Sequence, residues 1–351
     1  MVHFMVGPSY RVEEPNVTTL ATPSEALSRI DEWYNTEKLF FPRDSIKAIY
    51  QQLQRPLKKG DEIFVKGLDG VNIAFLVRTG DSYCYDGEEY TIGEPFIRYI
   101  SYESLKATME SSLELQHLAY CNLQIQHYVT SHHQGPGEPM ANIVLKSLSE
   151  VEHLFSTCLR VWEVSEVWAQ IKTAVSSANT ASIIGKIIGL ACGTMSYPDD
   201  IPYYSYNSVF QHALLVATRR FLQERFNCEI ACAVQDPAYT DIDKSVLRSY
   251  GIKVLEDPEG FLEIDEASLV FSCAPNLPVK QIVLDMTRPA LLIWDTVHDE
   301  DGKLDGYLEA DPDSSRVIQI MSRSYETGEF PQNEHFGDMA IYVRREVDSK
   351  G

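Results

Sequence analysis

Between Lys186 and Val297, five short apolar segments alternate with turns and helical stretches, and few folds accept such a chain. The first, Ile187-Ile188-Gly189-Leu190-Ala191, runs into the glycine-bearing turn Cys192-Gly193-Thr194-Met195-Ser196. The second spans Cys228 to Val234 and ends on Gln235-Asp236-Pro237-Ala238-Tyr239-Thr240-Asp241. Ile252–Leu255, Ser268–Ser272 and Ala290–Trp294 supply the other three. Apolar residues at helical spacing predict helices over 208–226 and 241–250, the latter capped by Thr240, with Asp243 at the third position and Gly251 as its stop. Strands that end in loops and acidic residues, with helices between them, predict an α/β fold, a Rossmann-like and largely parallel sheet. The stretch from Glu256 to Ala267 is short for a helical crossover and has room for one helical turn, which leaves the strand order open.

Charge limits the partners. The 351 residues carry a formal charge of −21, so direct nucleic-acid binding, which needs a basic face, is not expected. A protein partner with a basic surface would be attracted instead. The longest apolar stretch, 181–195, is interrupted by Lys186 and predicts no membrane span. The opening Met1-Val2-His3-Phe4 shows no secretory pattern, and the seven cysteines are odd in number and scattered. Both point to a reduced intracellular setting, cytoplasmic or nuclear. Cys228 and Cys232, four apart on one predicted strand, would share a face without pairing.

Upstream, residues 1–30 read as a poorly ordered lead-in from which Ser24 opens a helix through Trp33, and Ile46, Ile49, Tyr50 and Leu53 mark another. Short strands follow at 62–65, 72–77 and 82–85, separated by glycine turns. This predicts an N-terminal α+β extension over 1–140 and a Rossmann-like domain over 141–347 with its core at 186–297. Ser131-His132-His133-Gln134-Gly135-Pro136-Gly137-Glu138-Pro139 is the linker candidate; its histidines lack partners at ligand spacing, and no metal site is expected. Ser147 and Glu150 have capping-box spacing before an apolar helical face. The acidic run of Asp299, Glu300, Asp301, Asp305, Glu309, Asp311 and Asp313 reads as a solvated loop, and Met339–Val343 as a last strand at an antiparallel edge.

Residues 186–295 resemble the fungal branch of the Sensitivity-to-Red-light-Reduced family, the SRR-like domain. The resemblance rests on Gln235-Asp236-Pro237-Ala238-Tyr239-Thr240, Asp243-Lys244, Leu247 and Gly251-Ile252. It continues through Asp257-Pro258-Glu259-Gly260-Phe261-Leu262-Glu263, Ala274-Pro275-Asn276-Leu277-Pro278-Val279 and Arg288-Pro289-Ala290 to Trp294-Asp295. Leu39 to Leu53 is similar to the upstream portion of the same members. The resemblance implies a regulatory role, in light and circadian signalling or in stress, and brings no agreed reaction with it. Where plant and animal members carry a Pro-His-Cys-type run, this chain has Ser272-Cys273-Ala274-Pro275-Asn276, which removes the histidine that such chemistry would use.

In a doubly wound sheet the carboxyl ends of the strands converge on one crevice. The ligand-binding candidates there are Gly189, Gly193, Thr194, Ser196, His212, Asp236, Tyr239, Pro275, Asn276 and Asp295. Glycine would let the backbone approach a ligand, and Asp236 could accept ribose hydroxyls. The bland alternatives are helix–sheet packing for glycine and a turn cap for Asp236. His212 would act as a base only if Asp236 or Asp295 oriented it, and Cys192 and Cys273 would be the nucleophiles by position. No catalytic residue is assigned and no cofactor is identified. A regulator that senses a small molecule, an enzyme acting on a nucleotide-like or adenosyl-bearing substrate, and a ligand-free interaction scaffold all fit the residues.

Overall fold

The computed structural model describes residues 9–12, 22–36, 38–85, 87–111, 118–132, 144–177, 184–198, 204–298 and 309–346. They form two compact units, one made of the described residues up to 132 together with 309–316, the other of 144–298 and 317–346. Residues 133–139 of the expected linker and the acidic residues 299–305 lie outside the described residues.

In the first unit, β1 (Tyr10–Val12) is followed by helices α1 (Pro23–Asn35) and α2 (Arg43–Leu53). Strands β2 (Glu62–Lys66), β3 (Asn72–Leu76), β4 (Ser82–Tyr85) and β5 (Glu88–Tyr99) lead to α3 (Tyr102–Ser111) and β6 (Leu123–His132). They make two antiparallel sheets, ordered β1-β3-β2 and β4-β5-β6. The expected lead-in is therefore partly structured, because β1 finds an open edge on β3. Ser131 and His132 close β6 rather than opening a linker. Asp311 and Asp313, expected in a solvated loop, are buried. Their segment is tied down by Arg316, which donates to the carbonyls of Tyr34 and Lys38 and lies 4.1 Å over the Tyr34 ring.

The second unit begins with α4 (Leu148–Glu163) and α5 (Glu166–Ser177), then alternates β7 (Lys186–Leu190), α6 (Tyr204–Phe226), β8 (Ala231–Gln235), α7 (Asp241–Ser249) and β9 (Lys253–Val254). After α8 (Glu259–Glu263) come β10 (Ser268–Ser272), α9 (Val279–Met286), β11 (Leu291–Asp295), α10 (Ser315–Ser324), β12 (Tyr325–Glu329) and β13 (Met339–Arg344). The seven strands are ordered β12-β13-β11-β10-β7-β8-β9. Five of them, β11-β10-β7-β8-β9, are parallel, while β13 runs antiparallel to both β11 and β12. Counted along the chain the parallel strands stand 3-2-1-4-5, so the order reverses between β7 and β10, where ligands enter sheets of this kind. The α/β, Rossmann-like reading of the sequence holds.

Two details differ. Cys228 lies outside β8 and is exposed, so it shares no strand face with Cys232. The chain first has to leave α6 through Asn227, whose φ of 48° is left-handed, before β8 can start. Nor is β13 the edge, because β12 pairs outside it. The sequence of β12, Tyr-Glu-Thr-Gly-Glu, carries no apolar alternation, and three of its five residues are exposed, as an edge strand allows.

One core cluster joins Phe155, Trp162, Leu214, Leu215 and Val246 of α4, α6 and α7 to the sheet face that carries Ile187, Val234, Phe271 and Ile293. Residues of α8 and α9 are absent from this cluster and cover the opposite face. Gly251 ends α7 at φ 73°, and a side chain there would meet Arg219 Nη1 at 2.5 Å. Gly251→Ala is expected to destabilise the protein by about 1–2 kcal/mol, read as a shift in the urea midpoint at unchanged slope.

Candidate functional site

All ten sequence-predicted residues lie at, or lead to, the carboxyl ends of the parallel strands. Those following β7 and β8 come together tightly. The Asp236 carboxylate accepts the amide of Gly193 at 2.7 Å and that of Ala238 at 2.8 Å, so it ties the loop after β7 to its own turn. Burial raises its pKa, and the two amide bonds offset part of that rise. Gly193 has φ 69° and lies against Ser208, whose Oγ a Cβ would meet at 2.5 Å. The space beside Gly189 is filled by Leu215, Cys192 and Val234, with Leu215 Cδ1 2.7 Å from where a Cβ would stand. Gly189 thus serves helix–sheet packing. The turn at Gly193 does not itself open α6, which starts at Tyr204.

Asp243, read from the sequence only as a helix cap, is the centre of the cluster and is wholly buried. Its Oδ2 accepts the Thr194 hydroxyl at 2.6 Å and both the amide and the hydroxyl of Thr240 at 2.8 Å. Oδ1 accepts the Met195 amide at 2.9 Å, and the Ser196 hydroxyl lies 3.2 Å from Oδ2. Thr194 and Ser196 are themselves 2.8 Å apart and buried. The capping-box spacing Thr240-x-x-Asp243 was the available signal; its second role, gripping a loop 47 to 49 residues away, has no local signature.

His212 is fully buried. Its Nδ1 lies 2.6 Å from the Ser208 carbonyl, which can only accept, so Nδ1 carries the proton. Nε2 then accepts the Tyr239 hydroxyl at 2.7 Å. Its partner is a phenol rather than the carboxylate a general base would use. Desolvation lowers the His212 pKa to about 4 and keeps the ring neutral. Burial likewise pushes the Cys192 thiol well above its usual range and Cys273 up to about 11, so neither is poised as a thiolate.

The β10–β11 side is more open. Ala274 follows β10 at φ 47°, and its amide donates to the Asp295 carboxylate at 3.0 and 3.2 Å. Pro275 is buried, Asn276 exposed and Asp295 half-buried. Ala191, at φ 54°, stands at the matching point after β7, so left-handed backbone flanks the switch point on both sides. The loop before β13 adds His335, stacked on Phe210 at 3.8 Å and 5°, and Asp338, which accepts the Thr296 hydroxyl at 2.8 Å. The sequence reading missed both, since nothing local ties 330–338 to strand ends 40 and more residues upstream.

The family model of the SRR1 domain matches residues 151–343. The chain belongs to the SRR1-domain family. No curated protein matches the sequence. Among solved structures, one similar to this SRR1-domain protein is described as a class I S-adenosylmethionine-dependent methyltransferase from Listeria monocytogenes. It is 12% identical, with a TM-score of 0.34 over 61% of this chain and 72% of that one. Another is the MycE methyltransferase of the mycinamycin biosynthetic pathway, in complex with Mg, SAH and mycinamycin VI. It is 10% identical, with a TM-score of 0.32 over 96% and 99% of the two chains. Likenesses this distant carry no argument about the SRR1-domain protein. No helix among its described residues is long and apolar enough to cross a membrane.

Two expectations follow. Asp243→Ala strands the Thr194, Met195 and Thr240 donors and should cost about 3 kcal/mol or more in urea unfolding, with Asp243→Asn between it and wild type. For His212 the folded pKa lies below its unfolded value of 6.5, so its contribution is complete above pH 6.5 and is lost as pH falls towards 4. The loss should approach about 3 kcal/mol at pH 4. His127 and His335 shift the same way and Asp236 the opposite way, so the comparison is with His212→Gln. The variant should show a visibly shallower fall in urea midpoint between pH 6.5 and 4.

Proposed function

We propose that this SRR1-domain protein is a regulatory binding module, acting in the cytoplasm or nucleus, whose switch-point crevice takes a small molecule without transforming it. One observation carries the reading: the ionisable groups after β7 and β8 are spent on one another. Asp236 holds two amides, Asp243 holds the Thr194–Ser196 loop and the α7 cap, and His212 is neutral between a carbonyl and a phenol. A general base needs a lone pair facing the substrate at a pKa near the working pH, and none of these groups offers one. The light, circadian or stress connection implied by the family resemblance fits a protein that reports binding rather than turnover.

A second reading has its own support. Left-handed Ala191 and Ala274 flank the switch point, and strained non-glycine backbone of this kind gathers at functional sites. An enzyme using the crevice for a nucleotide-like or adenosyl-bearing substrate would explain that strain.

A thermal-shift panel of adenine nucleotides, S-adenosylmethionine, nicotinamide cofactors and haem, with product analysis on every hit, separates the readings. A ligand at 100 times its Kd should stabilise the fold by about 2.7 kcal/mol. The regulatory reading expects a hit that Asp236→Ala loses, with no product. Product that Asp236→Ala abolishes would establish the enzyme. Silence across the panel would leave a scaffold that acts through protein partners.

A further inference from the structure

The two faces of the sheet end differently at the crevice. On the face covered by α8 and α9, a row of side chains crosses the strand ends: Gln235 of β8, Leu190 of β7, Ser272 of β10 and Trp294 of β11. Leu190 pairs with both Gln235 and Ser272, and Trp294 stands, like Ser272, one residue beyond the pair Phe271–Ile293. Gln235 is satisfied at both ends. Its Oε1 accepts the Gly260 amide at 2.6 Å and its Nε2 donates to Asp257 at 2.9 Å, which fixes α8 to the sheet. Ser272 and Trp294 have no such cover. Each is 1% exposed, and among the described residues neither Ser272 Oγ nor Trp294 Nε1 has a hydrogen-bond partner.

An indole N–H can only donate, so the missing partner is an acceptor, and the neighbouring hydroxyl can donate to the same atom. Buried donors left alone cost free energy, which makes two side by side an uncommon arrangement unless something fills it. The element above them is the start of α9. The loop after β10 leads from Ser272 into its first turn, whose amides point back towards the strand ends, and its second residue, Lys280, is buried at 3% exposure. An indole N–H, a hydroxyl, a helix amino terminus and a buried ammonium group all favour negative charge on oxygen. The negative group nearby, Asp295, alternates to the other face and accepts the Ala274 amide.

We propose that Ser272, Trp294 and the first turn of α9 form a subsite for an oxyanion, the phosphate or carboxylate of the small molecule that the crevice takes. The subsite rests on the binding-module reading and gives its ligand a chemical class. It lies at the switch point, with β10 supplying Ser272 and the ligand's remainder free to extend towards Asn276.

The test is a titration of the full-length chain with sodium phosphate and, separately, sodium acetate, at constant ionic strength set with chloride. Melting temperature and tryptophan fluorescence are followed. A saturable rise in melting temperature with a fluorescence change is expected from at least one anion, and the responding anion identifies the source. Ser272→Ala and Trp294→Phe should each weaken that response by about tenfold or more, the loss of one charge-assisted hydrogen bond. Each removes an unpaired donor, so the unliganded melting temperature should hold or rise in at least one of them. Unchanged affinity in both variants, or no saturation by either anion, overturns the subsite. If the anions are silent while adenosine or nicotinamide still raises the melting temperature, the oxyanion subsite falls and the binding module stands. Silence of anions and neutral compounds together removes both.

Discussion

Asp243 can leave water only where several donors meet it, and that requirement governs how the loops close over the strand ends. Its two oxygens gather the Thr194 hydroxyl, the Met195 amide and both groups of Thr240, so the loop after β7 and the start of α7 cannot move apart without stranding a charge. Asp236 repeats the device one turn earlier, between Gly193 and Ala238. Once the two carboxylates are placed, the rest follows by packing. Gly193 lies against Ser208, Ser208 fixes the first nitrogen of His212, and Tyr239 takes the second. A nucleotide-type sheet normally presents polar groups at this position to a ligand. Here they face one another.

That closure explains why the same residues invite a catalytic reading from sequence and resist it in structure. Acidic, histidine, tyrosine and cysteine side chains at strand ends are the raw material of acid–base and nucleophilic chemistry. Desolvation without a charged partner, however, drives His212 down and the thiols up, away from the range in which either is reactive. The crevice retains freedom on the β10–β11 side, where Asn276 is exposed and Asp295 half-buried.

Much of this fold could be read directly because its signals are local. Ser147 with Glu150 and Thr240 with Asp243 start helices by capping boxes, and Gly251 stops one by its positive φ. The five parallel strands announce themselves as short apolar runs between those signals. What escaped is what depends on distant partners. β5 and β6 pair through a long antiparallel hairpin whose strands are interrupted by Gly93 and Pro95, and β12 is a polar segment that becomes a strand only because β13 offers an edge. Asp311 and Asp313 read as solvated because charge predicts exposure, yet their segment is drawn in by Arg316 and the Tyr34 ring. In the site, the ten residues were found by position along the strands, whereas Asp243's grip on the β7 loop and His335's stacking on Phe210 required the topology first.

The contrast between the two sheet faces is the more telling result, because both obey the same rule of satisfying buried polar groups. On the α6–α7 face the rule is met within the chain by carboxylates that collect amides and hydroxyls. Along the α8–α9 face it is met at Gln235, where the Asp257–Gly260 segment returns to the sheet, and left unmet at Ser272 and Trp294. Those two donors differ from Gln235 in one respect: their loop leads outward to the start of a helix instead of back across the strand ends. A fold that spends so many hydrogen bonds on closing one side of its switch point, while leaving adjacent donors under a helix amino terminus on the other, is organised around something that arrives from outside the chain.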